Sequence, residues 1–83
     1  MNVYKLEVKA RCPKDHGTDV YQVTLESDSI IFCEDIVAWF KKNAGNRRVF
    51  QESLTKQAAT ALGCRVTTVG HHSGIEVTCV SPA

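Results

Sequence analysis

Apolar and polar side chains alternate from Tyr4 to Cys12. Tyr4, Leu6, Val8, Ala10 and Cys12 share one parity, while Lys5, Glu7, Lys9 and Arg11 share the other. A period of two belongs to an extended chain with one face on a core and the other in water. The alternation restarts after Pro13-Lys14-Asp15-His16-Gly17-Thr18, a segment rich in turn formers, with Asp19, Tyr21, Val23 and Leu25 set against Gln22, Thr24 and Glu26. A second strand, antiparallel to the first, is expected there. With 83 residues, residues 1–83 are expected to make a single domain around one core. A domain of this size buries only ~60–65% of the surface its unfolded chain exposes, which makes self-association an expectation too.

The spacing turns helical from Glu34 to Asn43, with Ile36, Trp39 and Phe40 on one side, and Ala44-Gly45-Asn46 closes the helix. Phe50, Leu54, Ala58, Ala61 and Leu62 then recur at threes and fours up to Gly63, which predicts a second helix with a narrow alanine face. Val66-Thr67-Thr68-Val69 and Ile75-Glu76-Val77-Thr78-Cys79-Val80 are β-rich runs, separated by the hairpin composition Gly70-His71-His72-Ser73-Gly74. The expected order is ββααββ, an α+β fold.

The strongly apolar stretch around Ser29 to Cys33 is far short of the ~20 residues that span a bilayer. Met1 leads straight into the strand pattern, so no signal peptide or membrane anchor is expected and the location expected is cytoplasmic. In that reducing compartment Cys12, Cys33, Cys64 and Cys79 are read as thiols, the last three as buried structural residues. Cys-x-x-Cys pairs and metal-binding histidine spacings among His16, His71 and His72 are absent, so no zinc site is expected. Ten basic residues against nine acidic ones give a net charge of +1, which removes any simple argument from global charge. Lys41, Lys42, Arg47 and Arg48 hold four of the ten basic residues, as either a solvated helix end or a phosphate-contacting patch.

Cys12 ends the apolar face of the first strand and Asp19 begins that of the second. In an antiparallel hairpin both point to one side near one end of the sheet, which sets a nucleophile beside a proton donor. A free thiol titrates near ~8.5, so it needs a local base or positive field to react at neutral pH, and Arg11, Lys14 and His16 are the candidates. A carboxylate facing apolar surroundings keeps its proton more readily, which suits Asp19 to delivering one. The alternative is a small buried hydrophobe at Cys12 and a loop cap at Asp19. Glu34 and Glu52 each stand in the first turn of a helix. They complement the helix dipole there, or one of them accepts two N–H bonds from a guanine-like edge.

These residues resemble those of the tunnelling-fold (T-fold) enzymes of 7-deazaguanine metabolism, the QueF nitrile reductases and their QueF-like amidinotransferase relatives. The resemblance spans about residues 6 to 80. It rests on Cys12-Pro13, Asp19-Val20-Tyr21, Glu34, Val49-Phe50-Gln51-Glu52 and Ser73-Gly74-Ile75, in that order. The ββααββ order is also the minimal T-fold unit, whose four-stranded antiparallel sheet carries two helices on one face and assembles into an oligomeric barrel with sites between subunits. The resemblance implies that Cys12 adds to the nitrile carbon of 7-cyano-7-deazaguanine to form a thioimide, that Asp19 protonates the nitrile nitrogen, and that Glu34 and Glu52 recognise the pyrrolopyrimidine edge.

Three departures bear on the fate of the thioimide. The reductases carry lysines for NADPH soon after the first helix glutamate, whereas here none occurs until Lys41. The family's Phe-His-Glu is Phe50-Gln51-Glu52, and its Arg-Gly-Gly-Ile is His72-Ser73-Gly74-Ile75. The expected reaction is therefore cofactor-free resolution of the thioimide by ammonia to an amidine, as in the archaeosine-type reaction. The substrate would be the free base or a base already in nucleic acid, with Lys41, Lys42, Arg47 and Arg48 contacting phosphate. NADPH-dependent reduction to an aminomethyl product is the alternative within the family. A noncatalytic T-fold module that binds a purine or pterin is the alternative outside it.

Overall fold

In the computed structural model, which describes residues 1–14, 17–45 and 47–82, the alternating segments form a long hairpin of β1 (Asn2–Arg11) and β2 (Thr18–Ser27). Helices α1 (Cys33–Asn43) and α2 (Gln51–Leu62) follow, then β3 (Arg65–His72) and β4 (Ile75–Ser81). The four strands make one antiparallel sheet in the order β1-β2-β3-β4. The expected ββααββ, α+β architecture is what the chain adopts.

Parity decides what the sheet buries. Val8 and Ala10 on β1, Tyr21, Val23 and Leu25 on β2, and Val66 on β3 enter one core with Ile36 and Phe40 of α1 and Leu54, Ala58 and Ala59 of α2. The register fixes these rows: Val8 faces Tyr21, Ala10 faces Asp19, and Val23 faces Thr68. Trp39 is half-buried, edge-on to Phe40 with centroids 5.0 Å apart. The Tyr4 hydroxyl accepts from the N–H of Ile31 at 3.1 Å, tying the chain ahead of α1 to the first strand.

Two expected boundaries shift for physical reasons. The stripe that α2 buries is Gln51, Leu54, Thr55, Ala58 and Ala59, while Phe50 and Ala61 are exposed. Hydrophobic period alone misplaces that stripe because two of its buried members are polar and bonded to the sheet. The segment from Gly70 to His72 belongs to β3 rather than to a loop, since the β3–β4 hairpin needs only Ser73-Gly74. Both have positive φ, 52° and 80°, as the tight turn matched to strand twist requires. Cys33, expected to be buried, opens α1 and is exposed. Asn46, part of the expected close of α1, lies outside the described residues.

Gly70 matters for close approach. A β-carbon there would lie 2.6 Å from the Tyr21 ring and 3.4 Å from the Gln51 side-chain oxygen, so a bare backbone is what lets that ring lie against β3. Gly70→Ala is expected to lower unfolding free energy by about 1–3 kcal/mol, the usual cost of overpacking. The midpoint of urea denaturation measures it, and an unchanged midpoint would contradict the packing described.

Candidate active site

Main-chain bonds bring three segments together at one end of the sheet. β1 ends at Arg11, and the N–H of Cys12 donates to the carbonyl of Gly17 at 2.8 Å, closing the β1–β2 connection across its base. The N–H of Arg11 donates to the Arg47 carbonyl at 2.9 Å, and the N–H of Val49 donates to the Arg11 carbonyl at 3.2 Å. This short parallel pairing carries the chain to Phe50, so α2 begins beside the thiol end of β1. The tight turn of the β3–β4 hairpin brings His72 to the same end.

Between these segments lies a cavity of about 370 Å³, whose lining includes Cys12, Asp19, Tyr21, Gln51, Glu52 and His72. Pockets for small ligands begin at roughly that size. Asp19 is largely buried, with its side chain 14% exposed. Its Oδ2 accepts from the Tyr21 hydroxyl at 3.2 Å, and its Oδ1 lies 3.9 Å from Nδ1 of His72. The Cys12 sulfur, an Asp19 oxygen and a His72 ring nitrogen all lie within 4.8 Å of one another. A nucleophile, an acid and a base thus share one hollow, and the same three atoms are a set that could hold a metal ion.

Behind them stands a buried polar network. The Gln51 amide nitrogen donates to the carbonyls of Val77 at 2.9 Å and Thr68 at 3.1 Å and touches the Thr68 hydroxyl at 3.1 Å, while its oxygen meets Nε2 of His72 at 3.2 Å. The Thr55 hydroxyl lies 2.7 Å from the Gln51 carbonyl and 2.8 Å from the Thr68 hydroxyl. Among the described residues, no buried side-chain nitrogen or oxygen lacks a partner.

Burial pushes the Tyr21 phenol well above its ordinary range, and the Asp19 carboxylate beside it, to which it donates, adds to the shift. Tyr21 is therefore a hydroxyl donor to Asp19 at neutral pH. The Cys79 thiol is pushed up by burial first and by the Glu52 charge second, against a hydrogen bond with Thr68, and the Cys64 thiol is pushed up by burial. Both shifts run against the ionisation that a nucleophile needs.

The structure brings Cys12, Asp19 and Glu52 to one cavity. Glu34 is exposed in the first turn of α1 and does not line it. Lys41 and Lys42 occupy the exposed last turn of α1, and Arg47 and Arg48 are exposed in the segment that leads to Val49. Of the three groups expected to assist the thiol, Lys14 lines the cavity, Arg11 does not, and His16 lies outside the described residues. Sequence reasoning missed Gln51, His72 and Tyr21 as site residues. The parity of β2 already put Tyr21 beside Asp19, and a two-residue turn at Ser73-Gly74 would have put His72 on the same face.

No family model matches this sequence, and no curated protein does. Among solved structures, the chain is similar to the crystal structure of the archaeosine synthase QueF-Like in its apo form, with a TM-score of 0.82 at 18% identity over 96% of this chain and 89% of that one. That likeness shows the T-fold arrangement of four antiparallel strands and two helices. Among the described residues no helix is long and apolar enough to cross a membrane.

The Tyr21 shift predicts an alkaline stability effect. The phenol ionises near ~10 in the unfolded chain and higher in the folded one, so its contribution is fully present below pH ~10 and is lost as pH rises above it. Wild type is expected to lose up to about 1.4 kcal/mol more per pH unit above that point than Tyr21→Phe does. Denaturant titrations at increasing pH measure the difference, and parallel curves would contradict it.

Proposed function

We propose that this chain modifies a nitrile-bearing 7-deazaguanine, with Cys12 as nucleophile. The observation that carries this reading is the meeting of the Cys12 sulfur and the Asp19 carboxyl in one ligand-sized cavity with Glu52 also in its lining. The likeness to a structure described as an archaeosine synthase supports the substrate class. In the first step Sγ bonds to the nitrile carbon as its S–H proton passes to a base in the cavity, one C–N π bond opens, and Asp19 delivers one proton to the nitrogen, leaving a thioimide. Glu52, a carboxylate acceptor on the rigid first turn of α2, accepts N–H bonds from the pyrimidine edge of the base.

In the second step ammonia adds to the thioimide carbon and the C–S bond breaks. Cys12 regains its proton, and the nitrile has become an amidine with no change in oxidation state. No reductant enters that balance, in keeping with an α1 that has no lysine between Glu34 and its last turn. NADPH is the cofactor only if the second step is reduction to the aminomethyl product.

The substrate is 7-cyano-7-deazaguanine, free or within nucleic acid, and in the latter case Lys41, Lys42, Arg47 and Arg48 contribute phosphate contacts that weaken with salt. Copies of the chain associate into a ring with sites between subunits. Exposed Ile30, Phe32, Phe50 and Ile75 supply apolar surface for that contact, and Glu34 beside Phe32 then faces a neighbouring copy.

Incubation of the protein with 7-cyano-7-deazaguanine, alone and in a polynucleotide, tests the reading by product analysis. Amidine is expected with ammonium and without NADPH, and none with Cys12→Ala. An aminomethyl product with loss of NADPH absorbance would overturn the second step. Unchanged ligand binding and no product in any arm would favour a binding module. Glu52→Gln is expected to raise KM at least tenfold through loss of a charge-assisted pair worth about 1.5–3 kcal/mol, and an unchanged KM would remove Glu52 from recognition.

A further inference from the structure

Gln51 is buried, and its neighbours leave its carboxamide one orientation. Two main-chain carbonyls, those of Thr68 and Val77, lie 3.1 Å and 2.9 Å from the amide nitrogen. Carbonyls only accept, so the nitrogen must face them and Oε1 must face away. Oε1 then meets Nε2 of His72 at 3.2 Å, and an amide oxygen also only accepts. Nε2 therefore carries a hydrogen, so whenever the ring is neutral the lone pair sits on Nδ1. Nδ1 is the nitrogen that faces Asp19, 3.9 Å from Oδ1, within a cluster that holds the Cys12 sulfur inside 4.8 Å.

We infer that Cys12, His72 and Gln51 act as nucleophile, base and orienting amide, and that His72 is the group that activates the thiol. The same succession of thiol, imidazole and side-chain amide serves papain-like proteases on an unrelated fold. As Sγ bonds to an electrophilic carbon, its proton moves to Nδ1. The imidazolium donates to Gln51 through Nε2 and passes the proton to Oδ1 of Asp19. Oδ2 is already occupied by the Tyr21 hydroxyl, so Oδ1 is the oxygen that carries the proton onward to the nitrogen of the opened nitrile. One proton leaves sulfur and one arrives at nitrogen. When the C–S bond later breaks, a proton shed by the attacking amine returns along the same groups to Cys12.

The inference deepens the proposed reaction and rests on it only for the identity of the attacked carbon. Among the described residues, the other titratable groups around the pair are Lys14 from the β1–β2 connection, Tyr21 on β2, Glu52 on α2 and His71 on β3, which pairs with Glu76 of β4 at 3.6 Å. Cys79 of β4 acts electrostatically on Tyr21. None of these is a nitrogen base held beside Asp19 as Nδ1 of His72 is, at 3.9 Å.

Alkylation by iodoacetamide tests thiol activation without any deazaguanine. Rates at Cys12 and at exposed Cys33 are read separately, by peptide mass spectrometry, over a pH series. Wild-type Cys12 is expected to outpace Cys33 by about tenfold at pH ~6.5, and the two to converge at pH ~9.5, where ordinary thiols ionise. His72→Ala and His72→Gln are each expected to abolish the advantage at low pH and leave the high-pH rate unchanged. The glutamine variant retains an amide donor for Gln51 and guards against misfolding. A pH profile at Cys12 unchanged in the glutamine variant, or one that follows Cys33 in the wild type, would overturn the inference. An activated, His72-dependent Cys12 in a protein that makes no amidine would uphold the inference and count against the substrate assigned above.

Discussion

Gln51 is a polar side chain sunk between a helix and two strands, and the fold gives both ends of its amide a partner. Its amide nitrogen is taken by carbonyls on β3 and β4, its oxygen by His72, and its own carbonyl by Thr55. A buried amide without partners costs about 1–3 kcal/mol, so the requirement to satisfy this one sets the height and rotation of α2 over the sheet. Of the four buried polar residues among those described, Gln51, Thr55 and Thr68 belong to this network. Unlike apolar contacts, these bonds tolerate neither sliding nor rotation, which gives α2 a fixed register on β3 and β4.

The chemistry of the cavity inherits that register. α2 fixed in place carries Glu52 to the cavity, and the same amide that anchors the helix sets the tautomer of His72. β1 and β2 supply the other half through strand parity, with Asp19 braced by a phenol that burial keeps protonated. Gly70 links the halves, because only a residue without a side chain admits the Tyr21 ring beside Gln51. Stability and reactivity therefore share the same few residues.

The parts written in apolar residues were legible in the sequence. Alternation placed β1 and β2, and with them the common side of Cys12 and Asp19, because a period of two leaves no other geometry. The rotation of α2 was not legible, since Gln51 and Thr55 read as solvent-facing to any hydrophobic pattern and are buried through hydrogen bonds that only the assembled sheet provides. His72 read as loop because Gly70 and Gly74 both look like turn residues. One is in fact a packing glycine inside a strand, and only Ser73-Gly74 makes the turn. Glu34 and Glu52 had equivalent positions at the starts of two helices, yet only α2 begins beside Cys12, which sequence spacing alone does not distinguish.

Every step of the proposed chemistry depends on Cys12 forming a covalent bond inside this cavity. Intact-mass spectrometry of the protein mixed with 7-cyano-7-deazaguanine, without ammonium or NADPH, reads that bond directly. Wild type is predicted to gain the mass of one ligand per chain, and Cys12→Ala, with three thiols still present, to gain none. An unmodified wild type after prolonged incubation, or an adduct that survives in Cys12→Ala, would contradict it.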